Sequence, residues 1–351
     1  MNIAKIIFLC AVFVCAQQQT LRGFAYNPFG TLGATPTIVD ILQKPSDIYG
    51  HKFVYASLES ISAYSVFDLA GGSAFLSFDK SLTLGYAKNF YGLLLRISPH
   101  SLCNLEYEAN YECLYDQNIS MNFSVPLGSS VIYAHTGKTN KSDIHEEDYV
   151  NSSARYKQEL SAREAYIGIT GGNSFIWDLR FNFDRYKRSY SGYEYTESSI
   201  YELDGTECQT DIKFLFNFGY KILQSDRFKF IVGLNNQYSR QHYYYPDYDY
   251  VYDAKYYLTF TTSPNFLGEV TLTKHLLAFV GAIYNISSYA FFNGWDEVEF
   301  FGVDNYKGSY VGLRYEYENL AIETRLQGDP FEELLSRNNP FIQLGVFFFF
   351  Q

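Results

Sequence analysis

The sequence is poor in the features that mark several common protein classes. It has 2 Trp, 2 Met and 9 Pro among 351 residues. Beyond an apolar run at residues 6–14, no stretch approaches the roughly 18 consecutive apolar residues that a membrane-spanning helix needs. The formal net charge is −11, basic residues are scattered, and no nucleic-acid-binding motif stands out. The composition therefore argues against a bundle of membrane helices, and no nucleic acid is expected as a partner.

Catalytic and metal-binding patterns are also missing from the sequence. There is no HExxH helix, nucleophile elbow, phosphate-binding loop or dinucleotide fingerprint. The 6 His residues are dispersed, and no Cys/His grouping has the spacing of a zinc site. We therefore expect neither catalytic residues, nor a cofactor, nor a bound metal.

Cysteines are too few for a disulfide framework. The chain has 5 Cys, and two of them, Cys10 and Cys15, lie close to the N-terminus. The others are Cys103, Cys113 and Cys208, and an odd number argues against systematic pairing. Cys103 and Cys113 could form one bridge in an oxidising compartment, while three unpaired thiols are the alternative.

The N-terminus has the pattern of a secretory signal. Lys5 precedes the apolar run, and Val14 and Ala16 supply the small residues that signal peptidase prefers. The run is too short for a spanning helix. Residues 1–16 are therefore predicted to be a signal peptide.

Aromatic residues and period-two alternation are what the chain has in abundance. It contains 34 Tyr and 31 Phe, residue types that favour pleated, half-buried surfaces. Apolar and polar side chains alternate over residues 174–188, 211–222 and 308–318, as in strands with one apolar and one polar face. About fourteen strands are predicted, between 12 and 16, with the first candidate beginning at residue 61.

Short turns between these strands alternate with long polar segments. The long segments, expected to be loops, are residues 137–161, 189–206, 242–254 and 290–307. Alternation alone fits a soluble sandwich or a membrane barrel. Strands of about 9 to 15 residues, unequal connections and aromatic clusters at strand ends favour the barrel. We therefore predict an all-β, antiparallel transmembrane β-barrel over residues 51–351, preceded by an N-terminal plug or periplasmic tail over residues 17–50.

The terminal segment PFIQLGVFFFFQ, residues 340–351, reads as a closing strand that pairs with the first strand and leaves no open edge in lipid. It resembles the C-terminal recognition strand of Gram-negative outer-membrane barrel proteins, although Gln351 follows the last aromatic residue, Phe350. The resemblance implies a location in the cell outer membrane. It also implies outer-membrane lipid and the barrel assembly machinery as partners.

A second, weaker resemblance lies near the N-terminus. Residues 26–30, YNPFG, and 35–45, TPTIVDILQKP, are similar to the start of the long-chain fatty-acid transporter family. Phe29 stands where that family's Asn-Pro-Ala element has Ala. This resemblance implies a plug inside a fourteen-stranded barrel.

Two groups of residues are candidates for function. The first is the polar face of the strands, which lines the lumen in this register: Asp178, Arg180, Asp184, Lys213, Lys221, Arg227, Lys229, Arg314, Glu316, Glu323 and Arg325. The second is a loop whose oxygen ligands and Tyr rings could bind calcium, sugars or apolar ligands: Tyr245, Asp247, Asp249 and Asp253. The favoured alternative is an aromatic girdle that continues into a solvated loop without a ligand. The favoured function is a passive channel or transporter for small solutes, hydrophobic ones among them. The alternative is a closed barrel that serves as a scaffold or adhesin through its long loops.

Overall fold

Sixteen antiparallel strands form a closed barrel, because the last strand pairs with the first. A computed structural model describes residues 21–23, 30–35, 37–57, 62–79, 81–98, 111–148, 152–196, 200–244, 255–292, 298–328 and 341–349. The strands are β1 Phe53–Ser57, β2 Ser62–Leu69, β3 Gly72–Asp79, β4 Ser81–Lys88, β5 Tyr91–Ile97, β6 Tyr111–Leu127, β7 Ser130–Asp148, β8 Ser152–Gly172, β9 Phe175–Thr196, β10 Ile200–Gln224, β11 Phe228–Tyr244, β12 Lys255–Thr273, β13 Leu276–Phe292, β14 Val298–Tyr317, β15 Leu320–Gly328 and β16 Phe341–Phe349. The prediction of an all-β antiparallel barrel is confirmed.

The strand number is sixteen rather than about fourteen, at the upper limit of the predicted range. The expectation of long loops is wrong at three places. Strand β1 has only five residues, too short for the alternation that marks the other strands. The segments 137–161, 189–206 and 290–307 are largely strand, as their backbones remain paired across β7 to β10 and across β13 and β14. Their polar sequences suggested loops, but a strand that rises beyond an apolar belt has no need of an apolar face.

The barrel wall is much higher on one side than on the other. Strands β1 to β5 have 5 to 8 residues, whereas β6 to β14 have 17 to 25. One end of the barrel, called here the turn end, holds the short turns: 70–71, 89–90, 128–129, 173–174, 225–227, 274–275 and 318–319. No helix among the described residues is long and apolar enough to cross a membrane.

The two faces of the wall differ in chemistry. On β9, Phe181 and Phe183 point outward and are exposed. Asn182 and Asp184 alternate with them and point inward, where Asp184 is buried. The same alternation recurs on the neighbouring strand, where Phe214 is exposed and Lys213 bonds the inward carboxylate of Asp184. The outer face of the barrel is therefore apolar and the inner face polar.

The terminal phenylalanines divide between these faces. Phe348 is directed outward, whereas Phe347 and Phe349 are buried inside the barrel and stack at 5.4 Å between ring centroids. They belong to a core at the turn end that also contains Phe53 and Tyr55 of β1. The terminal strand therefore closes the barrel by pairing its backbone with β1. It presents Phe348 on the outer face and contributes Phe347 and Phe349 to the core.

Candidate functional site in the barrel lumen

The N-terminal segment, defined here as the described residues 21–23, 30–35 and 37–50, lies inside the barrel at the turn end. It carries helix α1, Ile38–Gln43, and a short 3-10 helix, Pro45–Ile48. Helix α1 begins at a capping box, in which Thr37 N donates to Asp40 Oδ2 at 2.8 Å. Ile38 and Ile41 are fully buried in the core described above. Local sequence thus forms the helix, and its apolar side anchors it to the wall.

Polar contacts fix the N-terminal segment to opposite parts of the wall. On one side, Ser46 N donates to Ser124 Oγ at 2.7 Å, and Asn122 Nδ2 donates to Leu42 O at 2.7 Å. On another side, Gly23 N donates to Glu323 Oε2 at 2.8 Å. The segment therefore crosses the lumen rather than following one strand.

Two glycines in the wall allow the backbone of this segment to approach closely. A Cβ added to Gly92 of β5 would lie 2.1 Å from Ser46 N, and one added to Gly219 of β10 would lie 2.1 Å from Leu32 O. Backbone atoms cannot rotate out of such a clash. These positions therefore require glycine while the segment stays in place.

Four charged groups and two rings meet where the segment contacts β14 and β15. Arg314 is fully buried. Its Nε donates to Glu316 Oε1 at 2.5 Å and its Nη1 to Glu323 Oε2 at 3.4 Å. Its guanidinium carbon lies 5.0 Å from the Phe347 ring centroid and 5.8 Å from that of Phe349. Arg22 of the N-terminal segment bonds Glu316 at 2.8 Å. Two cations thus face two carboxylates, which is the condition for burying them at all.

Most of the residues predicted to face the lumen lie on the inner wall. Asp178, Arg180 and Asp184 do so on β9, and Lys213 and Lys221 on β10. The others on the inner wall are Lys229 on β11, Arg314 and Glu316 on β14, and Glu323 and Arg325 on β15. Arg227 is different: it lies in the turn between β10 and β11 and is exposed, because β10 ends at Gln224.

A polar cavity of about 310 Å³ lies between the N-terminal segment and strands β9 to β12. Asp40 and Lys44 line it from helix α1 and its end. The wall contributes the charged Asp178 and Arg180 and a set of amides and hydroxyls: Asn217, Asn235, Gln237, Thr261 and Ser263. The cavity is lined by carboxylates, by basic side chains, and by neutral hydrogen-bond donors and acceptors. It therefore suits small polar molecules rather than aliphatic ones.

A stack of side chains on the inner wall holds Arg180 at the edge of this cavity. The Arg180 guanidinium carbon lies 5.2 Å from the Tyr166 ring centroid, a cation–π distance. The Tyr166 ring stacks on His135 at 4.8 Å, and His135 Nδ1 is 2.6 Å from Asn122 Oδ1. Because Asn122 also bonds the N-terminal segment, the stack links that segment to Arg180.

A second cavity, of about 350 Å³, lies farther from the turn end on the same side of the wall. Lys213 lies on its surface and pairs with Asp211 at 2.8 Å and with Asp184 at 3.2 Å. Gln241 Nε2 donates to Asp211 Oδ2 at 3.3 Å. The two cavities follow β9 and β10 one above the other, so the polar space continues along the high side of the barrel.

Two titratable groups in and beside the N-terminal segment have shifted pKa values. Burial raises the pKa of the Asp47 carboxyl from 3.8 to about 6; Lys44 lowers it and Asp40 raises it. Burial also lowers the pKa of the His51 imidazole. Both shifts favour the neutral form of the side chain, because a segment packed against the barrel wall is shielded from water.

Several predicted features lie outside the described residues. These are the signal peptide over residues 1–16, Cys103, and the loop residues Tyr245, Asp247, Asp249 and Asp253. Cys113 is on β6, but its side chain is not described, so the disulfide with Cys103 stays a prediction. Within the described residues, Cys208 is a free thiol and no group of three His, Cys, Asp or Glu side chains could hold a metal ion.

Sequence reasoning missed several residues of this site. Asp211 has the same strand parity as Lys213, so the alternation could have found it. Tyr133, whose hydroxyl donates to Asp178 Oδ1 at 2.6 Å, and Tyr166 were missed because only charged residues were considered for the polar face. No sequence signal pointed to Arg22, whose partner lies 294 positions away.

No protein-family model and no curated protein matches the chain. The resemblance to long-chain fatty-acid transporters therefore finds no support there. Among solved structures, the chain is similar to the translocator domain of autotransporter NalP from Neisseria meningitidis, with 11% identity over 87% of this chain and 90% of that one and a TM-score of 0.38. It is also similar to a loop L8 deletion mutant of OmpT, an outer membrane protein of Vibrio cholerae, with 13% identity over 86% and 97% and a TM-score of 0.41.

A third similar structure is BauA, the ferric preacinetobactin receptor of Acinetobacter baumannii. The identity is 10% and the TM-score 0.45, and the match covers 86% of this chain but 59% of that one. All three likenesses concern the fold. Function has to be argued from the geometry of the barrel itself.

Proposed function

We propose that the chain is an outer-membrane β-barrel that acts as a passive channel for small polar solutes. The observation that carries this is the division of the wall: apolar rows outside, and inside a polar surface with two consecutive cavities. A closed barrel provides a hydrogen-bond partner for every backbone N–H and C=O group of its wall in lipid. The rows of apolar side chains on its outer face suit contact with acyl chains. The polar lumen favours polar solutes over the hydrophobic ones considered from sequence. We assign no catalytic step to it.

The N-terminal segment acts as a plug in this proposal. It crosses the lumen at the turn end and borders the 310 Å³ cavity, so it narrows the path that a solute would take. The ion pair of Arg22 with Glu316 and the backbone contacts at Gly92 and Gly219 support this role. The barrel assembly machinery remains a proposed partner through strand β16.

The experiment compares the conductance of refolded protein before and after the plug is displaced. Heat-modifiable gel mobility and outer-membrane fractionation first establish a folded membrane barrel. Planar-bilayer recording then compares the wild type with the double variant Gly92→Ala/Gly219→Ala, in which each new methyl group meets backbone atoms of the segment at 2.1 Å. The matched control is Gly268→Ala, where nothing lies closer than 3.4 Å to the new Cβ.

We expect a small conductance for the wild type and for Gly268→Ala, and a larger one for the double variant. A folded barrel in which all three conduct equally would refute the plug. A folded barrel in which none of them conducts above an empty bilayer would refute the channel.

A second candidate function rests on the height of one side of the wall. Strand β10 has 25 residues, which at about 3.3 Å per residue and a tilt near 40° rises roughly 60 Å, more than twice an apolar belt of about 25 Å. Such a wall projects into water and could present a binding surface. Removing residues 245–254 should abolish binding to a partner or a surface while conductance is retained; unchanged binding argues against this function.

A further inference from the structure

Three cations stand side by side on the outer face of the barrel. Lys138 on β7 is the direct partner of Arg163 on β8, and Arg163 is the direct partner of Arg185 on β9. All three are exposed and share the strand parity of outward-facing residues. Directly opposed residues on adjacent strands lie about 5 Å apart, so the row is about 10 Å long.

Two further cations extend this row into a basic patch, defined here as Lys138, Arg163, Arg185, Lys187 and Arg240. Lys187 follows Arg185 on the outer face of β9, and Arg240 faces outward on β11, where its guanidinium carbon lies 4.5 Å from the Tyr256 ring centroid. Both are exposed. On a chain with a net charge of −11, five exposed cations on four strands, β7, β8, β9 and β11, are an unusual concentration.

Nothing among the described side chains neutralises the basic patch. The nearby carboxylates of Glu164, Asp184 and Asp211 lie on the inner face. Outward-facing Glu159 lies four residues above Arg163 and pairs with Lys157, and Glu202 lies eight residues above the level of Arg185. Like charges directly opposite one another destabilise a sheet. The row therefore suits an anion that lies against it.

Apolar side chains lie immediately below the patch, on the side of the turn end. Phe183 is two residues from Arg185 and 43% exposed, and Ile212, in register with Phe183, is 36% exposed. The outward rows continue towards the turn end with Met121, Ile167, Phe181 and Phe214. The patch thus marks the upper boundary of the apolar belt, where the headgroups of a bilayer would lie.

From these positions we infer that the basic patch binds the phosphate groups of lipid headgroups, while the acyl chains lie on the rows below. This inference rests on the proposed membrane location and assigns a lipid ligand to the outer wall. Arg and Lys form strong, charge-assisted hydrogen bonds with phosphate oxygens. A row of three cations can neutralise one headgroup with two phosphates or two singly phosphorylated lipids.

The experiment measures the binding of lipid to the refolded full-length barrel in a zwitterionic detergent. Diphosphoryl lipid A is titrated in and bound copies are counted by native mass spectrometry, with lipid A from which the phosphates have been removed as the comparison ligand. The test variant is Lys138→Gln/Arg163→Gln/Arg185→Gln. The matched control, Arg227→Gln/Lys274→Gln/Lys307→Gln, removes three exposed cations outside the patch.

Each surface charge contributes about fivefold to the binding of an anionic lipid. We expect the patch variant to bind diphosphoryl lipid A on the order of tenfold to a hundredfold more weakly than the wild type and the control variant. We expect the dephosphorylated lipid to bind all three proteins equally. If the triple variant does not fold, Arg163→Gln alone, at the centre of the row, should show a few-fold loss.

Equal binding of both lipids, or an equal loss in patch and control variants, would overturn the inference and leave an acidic protein surface as the partner to seek. Heat-modifiable mobility and conductance are measured on the same samples. If the patch does not bind lipid phosphate, heat-modifiable mobility and conductance are unchanged. If the chain is not a channel, no conductance is observed, whether or not lipid binds.

Discussion

Replacing Arg314 by methionine is the sharpest test of how the turn end is held together. Methionine keeps most of the length of the side chain but removes its charge and all its donors. Glu323, whose side chain is fully buried, then keeps only the amide of Gly23 as a partner among the contacts described above. Glu316 keeps its bond to Arg22.

The expected loss follows from these contacts. Removing one member of a buried ion pair costs about 3–5 kcal/mol, because the other charge is left without a partner. The pair with Glu316 contributes less, since the Glu316 side chain is 34% exposed. The cation–π contact with Phe347 adds about 0.5–2 kcal/mol, part of which the methionine side chain recovers by packing on the same ring. We therefore expect the free energy of unfolding to fall by about 3 kcal/mol or more.

The assay is equilibrium unfolding of the refolded barrel in lipid vesicles with guanidinium chloride, followed by tryptophan fluorescence. Arg227→Gln serves as the control, because Arg227 is exposed in a turn, and its loss should change stability by less than about 0.5 kcal/mol. A loss of under about 1 kcal/mol for Arg314→Met would refute the view that this cluster is a buried, mutually dependent network.

Three further predictions concern the plug, the terminal strand and the lumen. Burial raises the pKa of Asp47 from 3.8 to about 6, so the docked segment is most stable below about pH 4 and loses this stability progressively until the pH passes about 6. Conductance should therefore increase between about pH 4 and about pH 6, and Asp47→Asn should remove that dependence. Phe347→Ala should lower the free energy of unfolding by about 3–5 kcal/mol because it opens a cavity in a buried core, whereas Phe348→Ala, on the exposed outer face, should cost clearly less; equal losses would contradict the assigned faces. Lys213→Met leaves Asp184 and Asp211 without their shared cation, so reversal potentials in a salt gradient should shift towards cation selectivity, and an unchanged potential would place the solute path elsewhere.

The architecture of the barrel was largely predictable, because alternation over residues 174–188 and 211–222 reports directly which side chains share a face. Strand number was not. Strand β1, Phe53–Ser57, is too short to show alternation, and its place is fixed only by pairing with β16 across almost the whole chain. The extent of β7 to β10 was missed because polar strands beyond the apolar belt have the composition of loops.

The lumenal site was predictable only in part, for a similar physical reason. Strand parity places Asp178, Arg180 and Lys213 on the inner wall, but it cannot say which of them meet. The stack of Arg180, Tyr166 and His135 depends on the register of three strands, and the Arg314 cluster depends on a segment that returns from the other end of the sequence. Such contacts arise from closure of the barrel and have no local signature.

Everything above depends on the apolar face of the wall being the one that meets lipid. Single tryptophans at adjacent positions of β9 test this directly: Phe181→Trp and Asn182→Trp, each in a background where Trp177 and Trp295 are replaced by Phe, reconstituted in vesicles. Brominated lipid should quench the fluorescence at position 181 and leave position 182 unaffected, while aqueous iodide should do the reverse. Quenching of position 182 by brominated lipid, or protection of position 181 from both quenchers, would contradict a barrel that faces lipid with its phenylalanine rows.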